Sequence, residues 1–320
     1  MEDAHMENTR FKSFAQSLFT KHETRMWRKE KDIFLNYCRT EFKALGYHDS
    51  EITIREDRNM LGFKSRNLLI GPPDADILIT AHYDTPGRNG FLLLLAPVFG
   101  ILLGSMTLMF PLFFGVGFLT GLLGLSEGSL LASFLPLLLL IAIPSLIKNP
   151  HNHTDNTSGV LGVFNLAARI AENPELRKKC AFVLFDHEEV LPGLLGSKAF
   201  AKWRKRNHPD KVQGKVINLD CIGTGDVLTV MAKKKHRGQN DIAAFLQKEG
   251  FPVKKVRSGL TGNSDHAVFP RGVSLLYQKR SLLGPLYIPK IHSGRDTVCD
   301  LDQVDRLCGV VYQYIENAAP

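Results

Sequence analysis

The stretch Leu78–Gly104, LITAHYDTPGRNGFLLLLAPVFGILLG, decides how this chain is read. It starts as the end of a buried strand, with His82 and Asp84 on alternate positions. A few residues later it becomes an apolar run of the kind that enters a bilayer. From Phe91 to Ile147 the only charged residue is Glu127. The first apolar run covers 91–125, the polar LSEGS follows, and a second run covers 128–147. A crossing needs roughly 20 apolar residues. The second run fits one crossing. The first is longer and contains Pro97 and Pro111, so it reads as kinked or partly interfacial. The competing reading is an apolar lid folded onto a soluble domain.

Outside this block the chain looks globular. Its 320 residues are 44% hydrophobic and 22% charged, with a net charge of +8. Acids and bases balance over the first 90 positions, and the excess lies after the apolar block, in LRKK, KWRKR and KKKHR. Such runs suit a solvated basic face or anionic lipid headgroups. No nucleic-acid recognition motif accompanies them, so nucleic acid is not expected as a partner. Five scattered cysteines without a CxxC exclude a disulfide framework and fit a reducing compartment. The N-terminal MEDAHMENTRFKSF lacks the pattern of a signal peptide.

Residues 8–47 space their apolar positions by three and four, which predicts helix. EITIRE alternates like a strand, and NLLIG and DILITAHYDT follow as strands around a GPPD turn. Beyond the apolar block, strands (CAFVLFD, KVINLDCIG, DVLTVMA, VSLLYQK) alternate with helices (SGVLGVFNLAARIAEN, GLLGSKAFAKWRKR, QNDIAAFLQKEG, LDQVDRLCGVVYQYIEN). This alternation predicts an α/β three-layer sandwich with a mixed, mostly parallel central sheet, plus an inserted transmembrane helical hairpin. The expected organisation is an N-terminal helical segment over 1–50 packed on the domain, a main domain over 51–90 and 148–320, and a transmembrane insert over 91–147.

Polar residues collect at the predicted strand ends. His82 and Asp84 share one face of their strand. Asp155 stands before a helix, Glu188 and Glu189 end CAFVLFDHEE, Asp220 ends KVINLD, and His292 lies in a loop before the last helix. Each alone could be a cap, a turn residue or a surface charge. Together they supply two imidazoles and several carboxylates at the sheet edge where α/β folds place their sites. Adjacent acids such as Glu188 and Glu189 need a nearby cation or a shared proton.

The blocks AHYDT, DNTSGV, FDHEEVLPGLLGS, NLDCIG, NSDHAVF and IHSGRDT occur in this order. In these the chain resembles the dinuclear-zinc exopeptidases that include bacterial leucyl aminopeptidase and glutamate carboxypeptidase, over about Glu51–Tyr314 apart from the insert. The resemblance implies two zinc ions. His82 and Asp220 would bind one, Glu189 and His292 the other, and Asp155 would bridge them. Glu188 would be the general base that activates water, and Asp84 would orient His82. Peptides would be the substrates, trimmed at the amino terminus in preference to the carboxyl terminus. Two departures touch the cleft. Gly294 stands where many members have Pro, and Leu191 and Pro192 lengthen the block after the glutamates. A single-zinc glutaminyl cyclase of similar fold and a catalytically inert membrane-binding module are the alternatives.

If His82 and Asp155 meet at one metal cluster, both ends of the insert emerge on one side of a bilayer. The number of crossings is then even, and two is the simplest. The site would lie within roughly 30 Å of the membrane at about 3.3–3.6 Å per extended residue. Arg88 and Lys148 flank the insert while its tip has neither Lys nor Arg. That bias predicts an integral membrane protein with its catalytic domain facing the cytoplasm.

Overall fold

Strands buried along nearly their whole length build the centre of the molecule. The computed structural model describes residues 2–58, 62, 64–122, 139, 142–189, 193–233, 237–259 and 263–318. The strands are β1 (Ile52–Arg58), β2 (Lys64–Ile70), β3 (Ile77–His82), β4 (Cys180–Phe185), β5 (Lys215–Leu219), β6 (Val227–Ala232), β7 (Val253–Arg257), β8 (Gly272–Arg280) and β9 (Leu286–Tyr287). They form one mixed sheet in the order β1-β2-β4-β3-β5-β8-β6-β7, with β9 on β8. The four central strands β4, β3, β5 and β8 are parallel. Antiparallel pairing joins β2 to β4 on one side and β6 to β8 on the other.

The helices are α1 (Glu2–Thr20), α2 (Arg28–Ala44), α3 (Ala96–Phe99), α4 (Ile101–Leu122), α5 (Ser158–Ala171), α6 (Pro174–Lys179), α7 (Leu195–Asn207), α8 (Arg237–Lys248) and α9 (Leu301–Ala318). Every residue of β3 and β4 is buried, as expected of parallel strands covered on both faces. The two-residue period sorts them. Ile77, Ile79, Phe182 and Leu184 join the larger core with Phe14, Phe34, Phe164 and Val304 from helices α1, α2, α5 and α9. Leu78, Val183 and Phe185 pack on the other face with Phe200 of α7.

Two local expectations change. The helix read over 8–47 is two helices, parted between α1 and α2. There Arg25 is fully buried, and its guanidinium donates to the carbonyls of His22 and Tyr83 and to Thr157 Oγ1. Three acceptors on one buried cation outweigh the helix propensity of the intervening residues. Two strands also went unread. β7 (VKKVR) does not alternate and exposes two adjacent lysines at the sheet edge, a usual edge device that mimics a solvated basic run. β9 has only two residues.

The ends of the insert meet. Gly87 and Lys148 form an antiparallel bridge, and Arg88 N donates to Ile147 O at 3.0 Å. The expected pair of crossings over 91–147 is not shown. Among the described residues no helix is long and apolar enough to cross a membrane. Residues 123–138, 140 and 141, with most of the second apolar run, lie outside the described residues. The first run is divided at Gly100, whose φ of 78° ends α3; a Cβ there would lie 2.5 Å from Pro285. Pro111 sits inside α4. Phe110, Phe114, Phe118 and Leu122, four apart, share one face of α4 and are 57–70% exposed.

Candidate metal centre

The parallel strands end together, and their last residues carry the polar groups. His82 closes β3 opposite Phe185 of β4. The next residues of the two strands therefore face one another. The Asp84 carboxylate accepts the backbone N–H of Glu188 at 3.0 Å and of Glu189 at 3.1 Å. His82 Nδ1 is 3.1 Å from the Asp84 carbonyl oxygen and 3.7 Å from its carboxylate. Asp84 thus braces the two-glutamate turn with its side chain and His82 with its backbone.

Asp155 sits in the turn that enters α5. The Asp296 carboxylate accepts the N–H groups of Thr154 and Asp155 at 2.9 and 3.0 Å. Asn156 ties the turn to the end of β5: its amide oxygen accepts from Gly159 N and Cys221 N, and its amide nitrogen donates to Leu219 O. Cys221 follows Asp220 directly, so this fastening also places Asp220. His292 comes from the loop before α9, and the root of the insert holds it. Its Nδ1 is 2.8 Å from Asn89 Oδ1, and its carbonyl accepts Gly90 N at 2.7 Å.

All seven residues singled out in the sequence converge. His82 Nε2 lies 3.3 Å from Asp155, 3.8 Å from Asp220 and 4.0 Å from Glu189. His292 Nε2 lies 2.9 Å from Asp155 and 3.4 Å from Glu189. The Asp155 oxygens divide, Oδ1 toward His82 and Oδ2 toward His292. Donor atoms of His82, Glu188 and Asp220 also come within 4.8 Å of one another, as do those of His82, Asp155 and Glu189.

Charge is crowded here. Burial, reinforced by Asp155, pushes Glu189 up to about 8. Burial and the neighbouring Asp265 push Glu188 well up. Burial alone would lower the imidazoles, but the carboxylates outweigh it. Glu188, Asp155 and Asp220 hold His82 well above its ordinary value, and Glu189 and Asp155 raise His292 to about 9. Asp155 stays below the usual carboxylate range despite its burial, because both histidines favour its charged form. So many buried acids require positive charge.

The donors fit a divalent metal. Imidazole and carboxylate are zinc-type ligands, and each histidine has its second nitrogen against an oxygen, the usual support of a ligating ring. One oxygen of Glu188, Oε2, is buried without a hydrogen-bond partner, as suits a group aimed at a reacting species.

Sequence reading assigned no role to four residues that matter here. Asp265 lies in the NSDHAVF block and faces Glu188; its burial raises it to about 6. Asp296 and Asn156 lie inside matched blocks and set Asp155. Asn89 lies at the start of the insert. Behind the glutamates, Lys31 of α2 pairs with Asp186 at 2.6 Å, both side chains almost fully buried. The Asp186 carboxylate also accepts Arg66 N and His187 N. Of the two departures from the family pattern, a Cβ at Gly294 would come within 3.1 Å of the Arg88 guanidinium, and Leu191 and Pro192 lie outside the described residues.

An α/β sheet with a buried imidazole–carboxylate centre at the carboxyl edge of its parallel strands defines the metallohydrolase class. The sequence model of Peptidase family M28 matches residues 148–308, and the chain belongs to that family, whose members typically bind zinc. Three solved structures share the fold. LapA aminopeptidase of Legionella pneumophila is 16% identical with a TM-score of 0.60, covering 100% of this chain and 73% of that one. BSAP, a zinc aminopeptidase from Bacillus subtilis, is 16% identical with a TM-score of 0.50, covering 80% and 50%. Porphyromonas gingivalis glutaminyl cyclase is 14% identical with a TM-score of 0.59, covering 97% and 98%. None of the curated protein sequences compared with the chain matches it.

Proposed function

We propose that this chain is a membrane-anchored, zinc-dependent exopeptidase that removes residues from the amino terminus of short peptides. The observation that carries this reading is the convergence of His82, Asp155, Glu189, Asp220 and His292 around one point, with Glu188 beside them. His82 and Asp220 would hold one zinc ion, Glu189 and His292 a second, and Asp155 would offer one oxygen to each. When bound, such ions polarise the scissile carbonyl and make water acidic enough to attack near neutral pH.

The rest is the work of this chain's residues. Glu188 takes the proton from the attacking water and returns it to the leaving amine. Its burial beside Asp265 strengthens its hold on that proton. Asp84 keeps Glu188 and Glu189 on opposite duties by fixing the backbone of both. Asn89 directs the free nitrogen of His292 inward by occupying the other one. The apolar run over 91–147 and the exposed aromatic face of α4 support lipid anchoring. Arg88 and Lys148 at the root support a catalytic domain on the cytoplasmic side.

The test is hydrolysis of aminoacyl peptides and of peptides with acidic carboxyl termini, after chelation and again after zinc is restored. Zinc-dependent release of amino-terminal residues supports the reading. Zinc-independent turnover, or none on any free peptide, overturns it. A second reading, glutaminyl cyclisation, draws on the near-complete mutual coverage with the Porphyromonas gingivalis enzyme. It predicts ammonia release from peptides beginning with glutamine, without a freed amino acid.

A further inference from the structure

A separate group of metal-type donors stands outside this centre. Glu23 lies in the turn between α1 and α2, and His151 and His153 lie in the segment that follows the insert. One donor atom from each comes within 4.8 Å of the other two. His151 Nδ1 is 3.1 Å from Glu23 Oε1, and His153 Nε2 is 3.6 Å from the same oxygen. The first distance is a hydrogen bond; the second is too long for one. His153 Nε2 is buried and has no hydrogen-bond partner. A surface pair of Glu23 with His151 explains the first contact, while His153 Nε2 faces the same carboxylate without completing a hydrogen bond.

A single zinc ion explains both. Ligand bonds of about 2.0–2.1 Å in tetrahedral geometry place donor atoms about 3.3 Å apart, and 3.1 and 3.6 Å bracket that spacing. The surroundings are already built. Phe19 stacks on the His153 ring at 4.2 Å. Asn152 Nδ2 donates to Glu23 O at 2.9 Å, and Asn149 Nδ2 to Asn152 Oδ1 at 2.9 Å. The first of these bonds ties the two segments together, and the second holds Asn152 in place for it. The side chains of Glu23, His151 and His153 are 27%, 36% and 16% exposed, so a fourth position faces water.

We propose that Glu23, His151 and His153 form a further zinc site, distinct from the centre at the sheet edge, that clamps the α1–α2 turn to the segment leading into Asp155. His153 and Asp155 are two positions apart, so this clamp would steady the approach to the catalytic centre from the N-terminal helices.

The full chain is stripped of metal, reloaded with zinc, freed of excess and analysed for zinc per chain. His151→Ala and Glu23→Gln are compared with the unaltered protein, each shown to be folded by circular dichroism. The expected result is about one zinc ion fewer per chain in both variants. Zinc-dependent protection of the 21–27 segment from proteolysis should also be lost. Asp155→Asn keeps that protection, which separates this site from the catalytic centre even if the peptidase reading fails. Equal zinc content in the unaltered protein and both folded variants overturns the proposal.

Discussion

The two histidines of the candidate centre are held in different ways. His82 ends a strand buried on both faces, and its neighbours are the sheet and the Asp84 backbone. His292 sits on a loop with a left-handed backbone, φ 56°, and leans on Asn89 and Gly90 at the root of the insert. One half of the site is therefore a property of the core fold. The other half depends on the segment that separates this chain from a plain sheet-and-helix enzyme. A defect near His82 should abolish the site, whereas a defect near Asn89 should loosen it.

The largest effect is expected where the core-held half is removed. Chelation, or His82→Ala, should bring peptide hydrolysis down to background, and zinc should restore the first and not the second. Next comes the split between the glutamates. Glu188→Gln should lower kcat by about 10²–10⁴-fold with zinc content unchanged, whereas Glu189→Gln should release zinc. If both lose metal, the assignment of Glu188 as base fails. Behind the turn, Lys31→Met leaves the Asp186 carboxylate buried and unpaired. Urea unfolding should report a loss of about 3–5 kcal/mol; an unchanged midpoint would make the pair dispensable. The smallest effect tests the insert-held half. Asn89→Ala should weaken zinc affinity or activity by about 10–100-fold, the usual cost of losing a partner of a ligating histidine. A loss as large as that of His82→Ala would erase the distinction between the two halves.

The pattern of residues made the centre of the molecule legible. Apolar strands ending in His82, Glu188, Glu189 and Asp220 announce both the sheet and its chemical edge, because burial demands apolar runs and catalysis demands their polar ends. What escaped reading depends on distant contacts. Nothing local marks Asn89 as the support of a histidine some two hundred positions away, or Asp265 as the neighbour of Glu188. The break between α1 and α2 is set by acceptors for Arg25 just past β3 and in the Asp155 turn, which no helical period reveals. β7 escaped because an edge strand dressed in lysine has the composition of a surface loop.

The bridge between Gly87 and Lys148 makes the insert a cassette plugged into one socket. Closing a longer loop costs only about 0.6 kcal/mol for each doubling of its length, so the sheet barely registers what hangs beyond the socket. A graft that joins the two sides of the bridge with a short turn should leave the central strands in register and forfeit the grip on His292 together with the bonds that α3 receives from Leu282 and Leu283. The fold could thus exchange its outer cargo at little cost, provided the newcomer supplies one amide at the threshold.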